Sequence, residues 1–128
     1  AVDLALADVV TGPIGTLPAT ATAVNFGRLA RMPLDASLSD KAAALVNLIG
    51  QVIALLAISA ARAETPANAT ESAPIVVIGH MTDMRSIRRV FELVSLYYST
   101  AIHVPEQGGY FTALGALLYA EENALIGA

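Results

Sequence analysis

The chain has 128 residues, of which 55% are hydrophobic and 14% are charged, so it is long and apolar enough to form one domain with a core. Its net charge is −4, and its arginines are spread over several segments, which argues against nucleic acid as a partner. The chain has no cysteine, which excludes a disulfide framework and a thiolate metal site.

The N-terminal third predicts one strand, a loop and a short helix. Residues Val2 to Val10 alternate loosely between apolar and polar side chains, as an edge strand does. Gly12, Gly15 and nearby prolines then predict a long turn region. From Ala19 to Arg31 the apolar residues recur at helical spacing, which predicts a short helix that ends before Pro33.

A long apolar helix is predicted next. Ser37 offers an N-cap, Ala42 to Ala61 is almost continuously apolar, and Arg62 suits the negative end of the helix dipole. Such a run is long enough to cross a membrane, but Asn47 and Gln51 place two amides on one face near its centre. The alternative is a helix buried on most sides, whose small residues allow close approach to a sheet or to a second copy.

The C-terminal half predicts strand, glycine turn and helix, twice over. Ile75 to Ile78 is typical of a strand covered on both faces, and Ala101 to Val104 predicts a second strand. The helix between them, from Ser86, has one apolar face and a polar face that carries Arg88, Arg89 and Glu92. Thr112 to Glu121 predicts a last helix whose small residues leave room for tight packing.

Glycines follow both strands of this half. Gly79 comes after the first strand and Gly108-Gly109 after the second. In α/β folds, ligands bind at the carboxyl ends of parallel strands, where glycine lets the backbone approach them closely. We therefore expect a ligand site at these turns, although neither turn has the spacing of a Rossmann or Walker loop.

Five segments of the chain match the motifs of one known family: Leu17-Pro18 with Asn25-Phe26-Gly27, the helix Leu45 to Arg62, Ile78-Gly79-His80, Gln107-Gly108-Gly109-Tyr110, and the closing Gly-Tyr-Phe-x-Ala-Leu-Gly-Ala-Leu-Leu. In these segments the chain resembles type II pantothenate kinases, which are members of the actin superfamily. The chain departs from the family pattern where Ala19-Thr20 replaces Gly-Asp, Gln51 replaces Glu, and His80 replaces a small residue.

The resemblance implies an α/β fold, a ribonuclease H-like lobe of the actin superfamily with a short, mostly parallel sheet packed with helices. Residues 1–128 would form the C-terminal lobe of a two-lobed kinase. The N-terminal lobe, with its phosphate loop and catalytic glutamate, would lie outside this chain. The implied activity of the whole protein is ATP-dependent phosphorylation of pantothenate to 4'-phosphopantothenate, in coenzyme A biosynthesis.

The same resemblance implies the partners and the site. ATP, which brings Mg²⁺, would bind with its adenosine beside Gly79, His80 and Met81. No catalytic residue is assigned in this chain, which by itself should be inactive. A cytoplasmic homodimer is implied, with the missing N-terminal lobe and pantothenate as partners, and with no nucleic acid and no membrane. The alternative is a noncatalytic dimerising module that binds nucleotide weakly or not at all.

Several side chains have two possible roles. Asp83 and Arg85 could contact phosphate or ribose, or Asp83 could cap the following helix. Tyr97, Tyr98 and Tyr110 could line a substrate tunnel or a dimer seam, or could pack in the core. A metal site is not expected, because the two histidines are far apart in sequence and have no cysteines or paired carboxylates at ligand spacing.

Overall fold

The computed structural model describes residues 2–12, 14–31, 35–69 and 72–126. Its helices are α1 (Gly27–Arg31), α2 (Leu38–Glu64), α3 (Arg85–Tyr98) and α4 (Phe111–Ile126). Its strands are β1 (Leu4–Ala5), β2 (Thr22–Val24), β3 (Ile75–Val76) and β4 (Ile102–His103). The predicted mixture of helices and strands is confirmed, but the described strands form two separate pairs and not one sheet.

The N-terminal strands pair with each other. β1 runs antiparallel to β2, with Leu4 opposite Val24. The prediction of a continuous helix from Ala19 is wrong, because residues 22–24 form β2 and the helix begins only at Gly27. Cross-strand hydrogen bonding to β1, which local periodicity cannot reveal, overrides the helical spacing. Pro33, where the predicted helix was to stop, lies outside the described residues.

Helix α2 begins at Leu38, directly after Ser37, the N-cap residue that the sequence predicts. The Ser37 hydroxyl accepts a hydrogen bond from the backbone N–H of Asp40 at 3.1 Å, and Arg62 lies in the last turn. The helix is not buried on most sides, as one alternative held. Its buried residues form a single stripe of mostly small side chains: Ala44, Gly50, Ala54, Ile58 and Ala61. Ala54, Ile58 and Ala61 belong to the core that includes α3, and Gly50 lies against Val90 of α3.

The core lies between α2, α3 and the second strand pair. Eight buried residues form it: Ala54, Ile58, Ala61, Ile75, Ile87, Val90, Phe91 and Val94. β3 and β4 are parallel, with Ile75 opposite Ile102, and α3 connects them. Only one face of β3 is covered, because Val76 is 60% exposed, so the prediction of a strand covered on both faces is wrong. Each of these strands is followed along the chain by a 3₁₀ turn and then a helix, β3 by α3 and β4 by α4.

Candidate functional site

The two glycine turns meet at the carboxyl ends of the parallel strands. After β3 the backbone N–H of Val77 donates to the carbonyl of His103 at 2.9 Å, which extends the pairing. One step further, the N–H of Gly79 donates to the carbonyl of Gly108 at 3.0 Å. Gly79 has φ +120°, a conformation that residues with a Cβ rarely adopt. A 3₁₀ turn follows each glycine, His80–Asp83 in one case and Gly108–Tyr110 in the other.

The turns touch so closely that glycine is required in the second one. A Cβ on Gly108 would collide with the hydroxyl oxygen of Thr82, and a Cβ on Gly109 would lie 2.5 Å from Oδ2 of Asp83. Thr82 is buried, and its hydroxyl donates to the carbonyl of Gly79 at 2.7 Å. The two turns therefore pack directly against each other, although all of α3 and β4 separates them along the chain.

Arg88, near the start of α3, connects the first of these turns to the segment that leads from β4 into the second turn. Its Nε donates to the carbonyl of Thr82 at 2.6 Å, Nη1 to that of Val104 at 3.1 Å, and Nη2 to that of Pro105 at 2.6 Å. The sequence places Arg88 together with Arg89 on the polar face of α3, and in the structure Arg88 is half-buried. The guanidinium is used for backbone carbonyls of two loops, and no local signal in the sequence distinguishes Arg88 from Arg89.

The three predicted ligand residues lie together in the first turn. Gly79 supplies the positive φ, and Met81 is 42% exposed. The side chain of His80 is 97% exposed, so it extends away from the turn and does not fill the space beside the glycine. Its Nδ1 lies 3.6 Å from Oδ2 of Asp83. That Gly79, His80 and Met81 contact a nucleotide stays a prediction.

The alternative role of Asp83 as a helix cap is wrong. Met84 is the N-cap residue of α3, and no side chain hydrogen-bonds at that cap. Instead Asp83 ends the 3₁₀ turn and lies beside His80 and Gly109. Among the residues that the structure describes, no group of three or more His, Cys, Asp or Glu side chains could hold a metal ion.

A second polar cluster joins the N-terminal strands to α2. Nδ2 of Asn47 lies 3.0 Å from Oδ2 of Asp3, 3.2 Å from Oγ1 of Thr22 and 3.4 Å from Oδ1 of Asn25. Nε2 of Gln51 donates to Oδ1 of Asn47 at 3.2 Å, so the two amides predicted on one face do act together. Because these polar groups hydrogen-bond to one another, we interpret the cluster as structural. It attaches α2 to the N-terminal strands.

The tyrosines are not core residues. Tyr110 is 71% exposed, Tyr98 is 40% exposed, and Tyr97 is half-buried. Tyr97 and Tyr98 border a cleft of about 80 Å³ together with Gln51 and Leu55, which is too small for a substrate the size of pantothenate. A larger open groove of about 520 Å³ lies on the N-terminal segment, away from the glycine turns, and its lining has no charged residue.

Two apolar helix surfaces have no partner within the described chain. Every residue of α4 from Phe111 to Ala124 is exposed, so the tight packing expected of this helix does not occur here. Gly115 has no atom within 4 Å of where its Cβ would be. On α2, the outer face exposes a row of large apolar residues: Leu38, Leu45, Val52, Leu55 and Leu56.

Comparison with known proteins gives one informative match. No model of a known protein family matches the chain. A type II pantothenate kinase from Oceanobacillus iheyensis is 31% identical to it over 117 residues. The match covers 91% of this chain but 42% of the relative, so the chain spans less than half the length of that protein. The similarity to a type II pantothenate kinase that the sequence motifs indicate is thus confirmed.

Proposed function

We propose that this chain forms the adenosine-binding and dimerisation lobe of an ATP-dependent kinase. The complete protein would phosphorylate pantothenate to 4'-phosphopantothenate, the first step toward coenzyme A. The lobe would be the C-terminal one, ribonuclease H-like, and the phosphate loops would come from a lobe that precedes it. The similarity to a type II pantothenate kinase along 91% of the chain supports this assignment.

The observation that carries the proposal is the meeting of the two glycine turns. Parallel strands of an α/β unit present their carboxyl ends at one edge, and ligands bind there. In this chain that edge holds Gly79 with φ +120° and a second glycine pair that tolerates no Cβ toward the first turn. A flat aromatic base could approach the backbone of Gly79 closely, because nothing lies within 4 Å of the place where a Cβ would be.

The role of each predicted residue follows from this geometry. Gly79 would allow the nucleotide to lie against the backbone, while His80 and Met81 would border the base or ribose. Because the His80 side chain points outward, it would leave the site open. ATP, when bound, supplies the phosphoryl group and brings Mg²⁺, which neutralises charge on the phosphates. The chain itself would bind and orient the nucleoside end.

No residue here is proposed as a catalytic base, and this chain alone would be inactive. Phosphoryl transfer depends on positioning and on positive charge around the phosphates. The two 3₁₀ turns themselves contain no lysine or arginine, and the guanidinium of Arg88 beside them is bonded to three backbone carbonyls. The phosphate-binding groups of the proposed kinase would therefore belong to the preceding lobe.

The test is made on the complete protein that contains this chain. We would measure pantothenate-dependent formation of ADP and the affinity for ATP, in the parent and in two glycine variants. Gly109→Ala places a Cβ 2.5 Å from Oδ2 of Asp83 and 3.2 Å from Cα of His80, and it should weaken ATP binding by about tenfold or more, because the Asp83 side chain must rotate away and the backbone of the first turn must shift. Gly12→Ala is the matched control, since nothing lies within 4 Å of its Cβ.

The outcomes separate the parts of the proposal. Loss of ATP affinity in Gly109→Ala alone supports a nucleotide site at the turns. Equal ATP affinity in both variants would refute that site. ATP binding by the parent without pantothenate-dependent ADP formation would refute the pantothenate kinase assignment, and would favour a different substrate or the noncatalytic alternative.

The alternative function is a noncatalytic dimerising module. The observation that favours it is the unpartnered apolar surface of α2 and α4, which is typical of an interface. This module would form a dimer and bind nucleotide weakly or not at all. A soluble dimer with no ATP affinity and no turnover, in the complete protein, would support it over the kinase.

A further inference from the structure

The guanidinium of Arg88 connects three carbonyls that belong to two different loops. Thr82 closes the turn after β3, while Val104 and Pro105 lie directly after β4. The three donor–acceptor distances lie between 2.6 and 3.1 Å, and each uses a different nitrogen of the same planar group. Arg88 is half-buried, whereas its neighbour Arg89 is exposed.

Arg88 is one of several contacts that hold these loops together. β3 and β4 have two residues each, so the ladder between them is short. Beyond it, the loops are joined by the hydrogen bond from Gly79 to Gly108 and by the contact of Thr82 with Gly108. Two backbone positions beside these contacts, Gly79 and Gln107, have positive φ values, so the loops do not continue any regular element.

We propose that Arg88 is a positioning residue for nucleotide binding, whose planar guanidinium sets the distance between the two glycine turns. The inference rests on the proposed function, since it assumes that the turns bind a nucleotide. Arg88 does not contact the nucleotide in this proposal. It acts through the carbonyls of Thr82, Val104 and Pro105, which hold the backbone of both turns in place.

The geometry of the guanidinium, and not its charge, would be the property that matters. An arginine side chain presents its N–H donors in a fixed plane, whereas a lysine ammonium is a single point on a flexible stem. Lysine at this position could reach one loop or the other, but could not span three carbonyls with the same spacing. A glutamine has a planar amide but is shorter and uncharged.

The experiment compares Arg88→Lys and Arg88→Gln with Arg89→Lys and Arg89→Gln in the complete protein. Folding is checked by circular dichroism and thermal unfolding. The dissociation constant for ATP is measured by calorimetry well below the unfolding temperature. The KM values for ATP and for pantothenate are then measured separately.

We expect both Arg88 variants to fold and to bind ATP about tenfold more weakly, because a small misplacement of a binding group has effects of this size. The KM for ATP should rise by a similar factor, while the KM for pantothenate stays within about twofold. Both Arg89 variants should match the parent. Equal weakening by lysine and glutamine is the signature of a geometric role.

Other results would overturn the inference. Full ATP affinity in Arg88→Lys with weak affinity in Arg88→Gln would assign the role to charge. A lower unfolding temperature with unchanged ATP affinity, or failure of both Arg88 variants to fold, would assign a purely structural role. If the parent itself bound no ATP, the proposed function would fall together with this inference. If the parent bound ATP and all four variants matched it, only this inference would fall.

Discussion

Asp8 carries a carboxylate that stabilises the N-terminal hairpin. Its Oδ2 accepts hydrogen bonds from the backbone N–H of Ala5 and from Nη2 of Arg28, both at 2.9 Å. The bond from Ala5 and then the bond from Arg28 lower the pKa of Asp8 below its ordinary value of 3.8. A depressed folded-state pKa means that the stabilisation is present above the ordinary pKa and is lost as the pH falls through the folded value.

The consequence is a pH-dependent effect of Asp8→Asn. Near neutral pH the variant should unfold at a lower temperature than the parent, and the difference should shrink as the pH falls below about 4. Thermal unfolding of both proteins over a series of pH values checks this. Asp35→Asn, at an exposed carboxylate before α2, is the control. A difference that persisted or grew in acid would contradict the assignment.

His80 occupies a position where the resemblance would lead one to expect a small side chain. Because the imidazole is 97% exposed, removing it should disturb neither the fold nor the approach of a ligand to Gly79. We expect His80→Gly to change the ATP affinity of the complete protein by less than about threefold and the unfolding free energy by about 0.5 kcal/mol or less. Calorimetric titration with ATP measures the change in ATP affinity. A gain of tenfold or more would show that His80 obstructs the site.

At the scale of elements, two helical glycines differ in what surrounds them. A Cβ on Gly50 would lie 2.8 Å from Cγ1 of Val90, so this glycine allows α2 and α3 to approach each other. A Cβ on Gly115 in α4 would meet nothing within 4 Å. Gly50→Ala should therefore lower the unfolding free energy by about 1–3 kcal/mol. Gly115→Ala should raise it by about 0.5–1 kcal/mol, because alanine is the better helix former.

Denaturant unfolding of these two variants checks the packing of both helices. Because the same substitution is made in both helices, each variant is the control for the other. A stabilising Gly50→Ala would refute the close contact between α2 and α3. A destabilising Gly115→Ala would indicate that α4 packs against something, and a neighbouring subunit or lobe would then be the partner to identify.

The polar face of α2 predicts how that helix is attached. Asn47 hydrogen-bonds to Asp3 just before β1, to Thr22 of β2 and to Asn25 in the turn after β2. Asn47→Leu should cost about 1–3 kcal/mol of unfolding free energy, because it removes the amide donor from the half-buried Oδ2 of Asp3 and Oγ1 of Thr22. Oδ1 of Asp3 keeps its hydrogen bond from the backbone N–H of Phe26. Ser59→Ala, on the exposed side of α2, should change stability by about 0.5 kcal/mol or less. Urea unfolding measures the unfolding free energy of both variants. Equal losses in the two would contradict the structural role of this polar cluster.

At the scale of the whole molecule, the exposed apolar surfaces of α2 and α4 need an explanation, because contact between apolar surface and water is unfavourable. Of the helices in the described part of the chain, α2 is long and apolar enough to cross a membrane. Its amides bind the N-terminal strands and its buried stripe packs on α3, which favours a helix of a folded domain. We expect the protein to be soluble without detergent and to bury its remaining apolar surface by associating with a second copy of itself.

Light scattering after size-exclusion chromatography tests this expectation. The 13.2 kDa chain should elute as a species of twice that mass, and Leu56→Glu or Leu118→Glu, on the exposed faces of α2 and α4, should reduce the dimer fraction. Glu64→Lys, at the end of α2, is a charge-changing control. A monomer that remains soluble, or a protein recovered only in detergent, would contradict the proposed dimer.

Local chemistry explains which features the sequence predicts well. Ser37 caps α2, and the spacing of Ile87, Val90 and Val94 predicts the buried face of α3. These signals lie within a few residues of one another, so they act in any fold that contains the segment. For the same reason the glycines that follow β3 and β4 can be recognised as turn signals from the amino-acid sequence.

The sequence by itself therefore determines the Ser37 cap of α2, the amphipathic face of α3, the two glycine turns and the resemblance to type II pantothenate kinases. Tertiary structure alone decides that Thr22–Val24 pairs as a strand, that Arg88 binds carbonyls of two loops, and that one face of β3 and most of α4 stay uncovered. The physical reason is distance along the chain. Each of these outcomes depends on groups that are remote in sequence and meet only after the core of α2, α3 and β3 has formed.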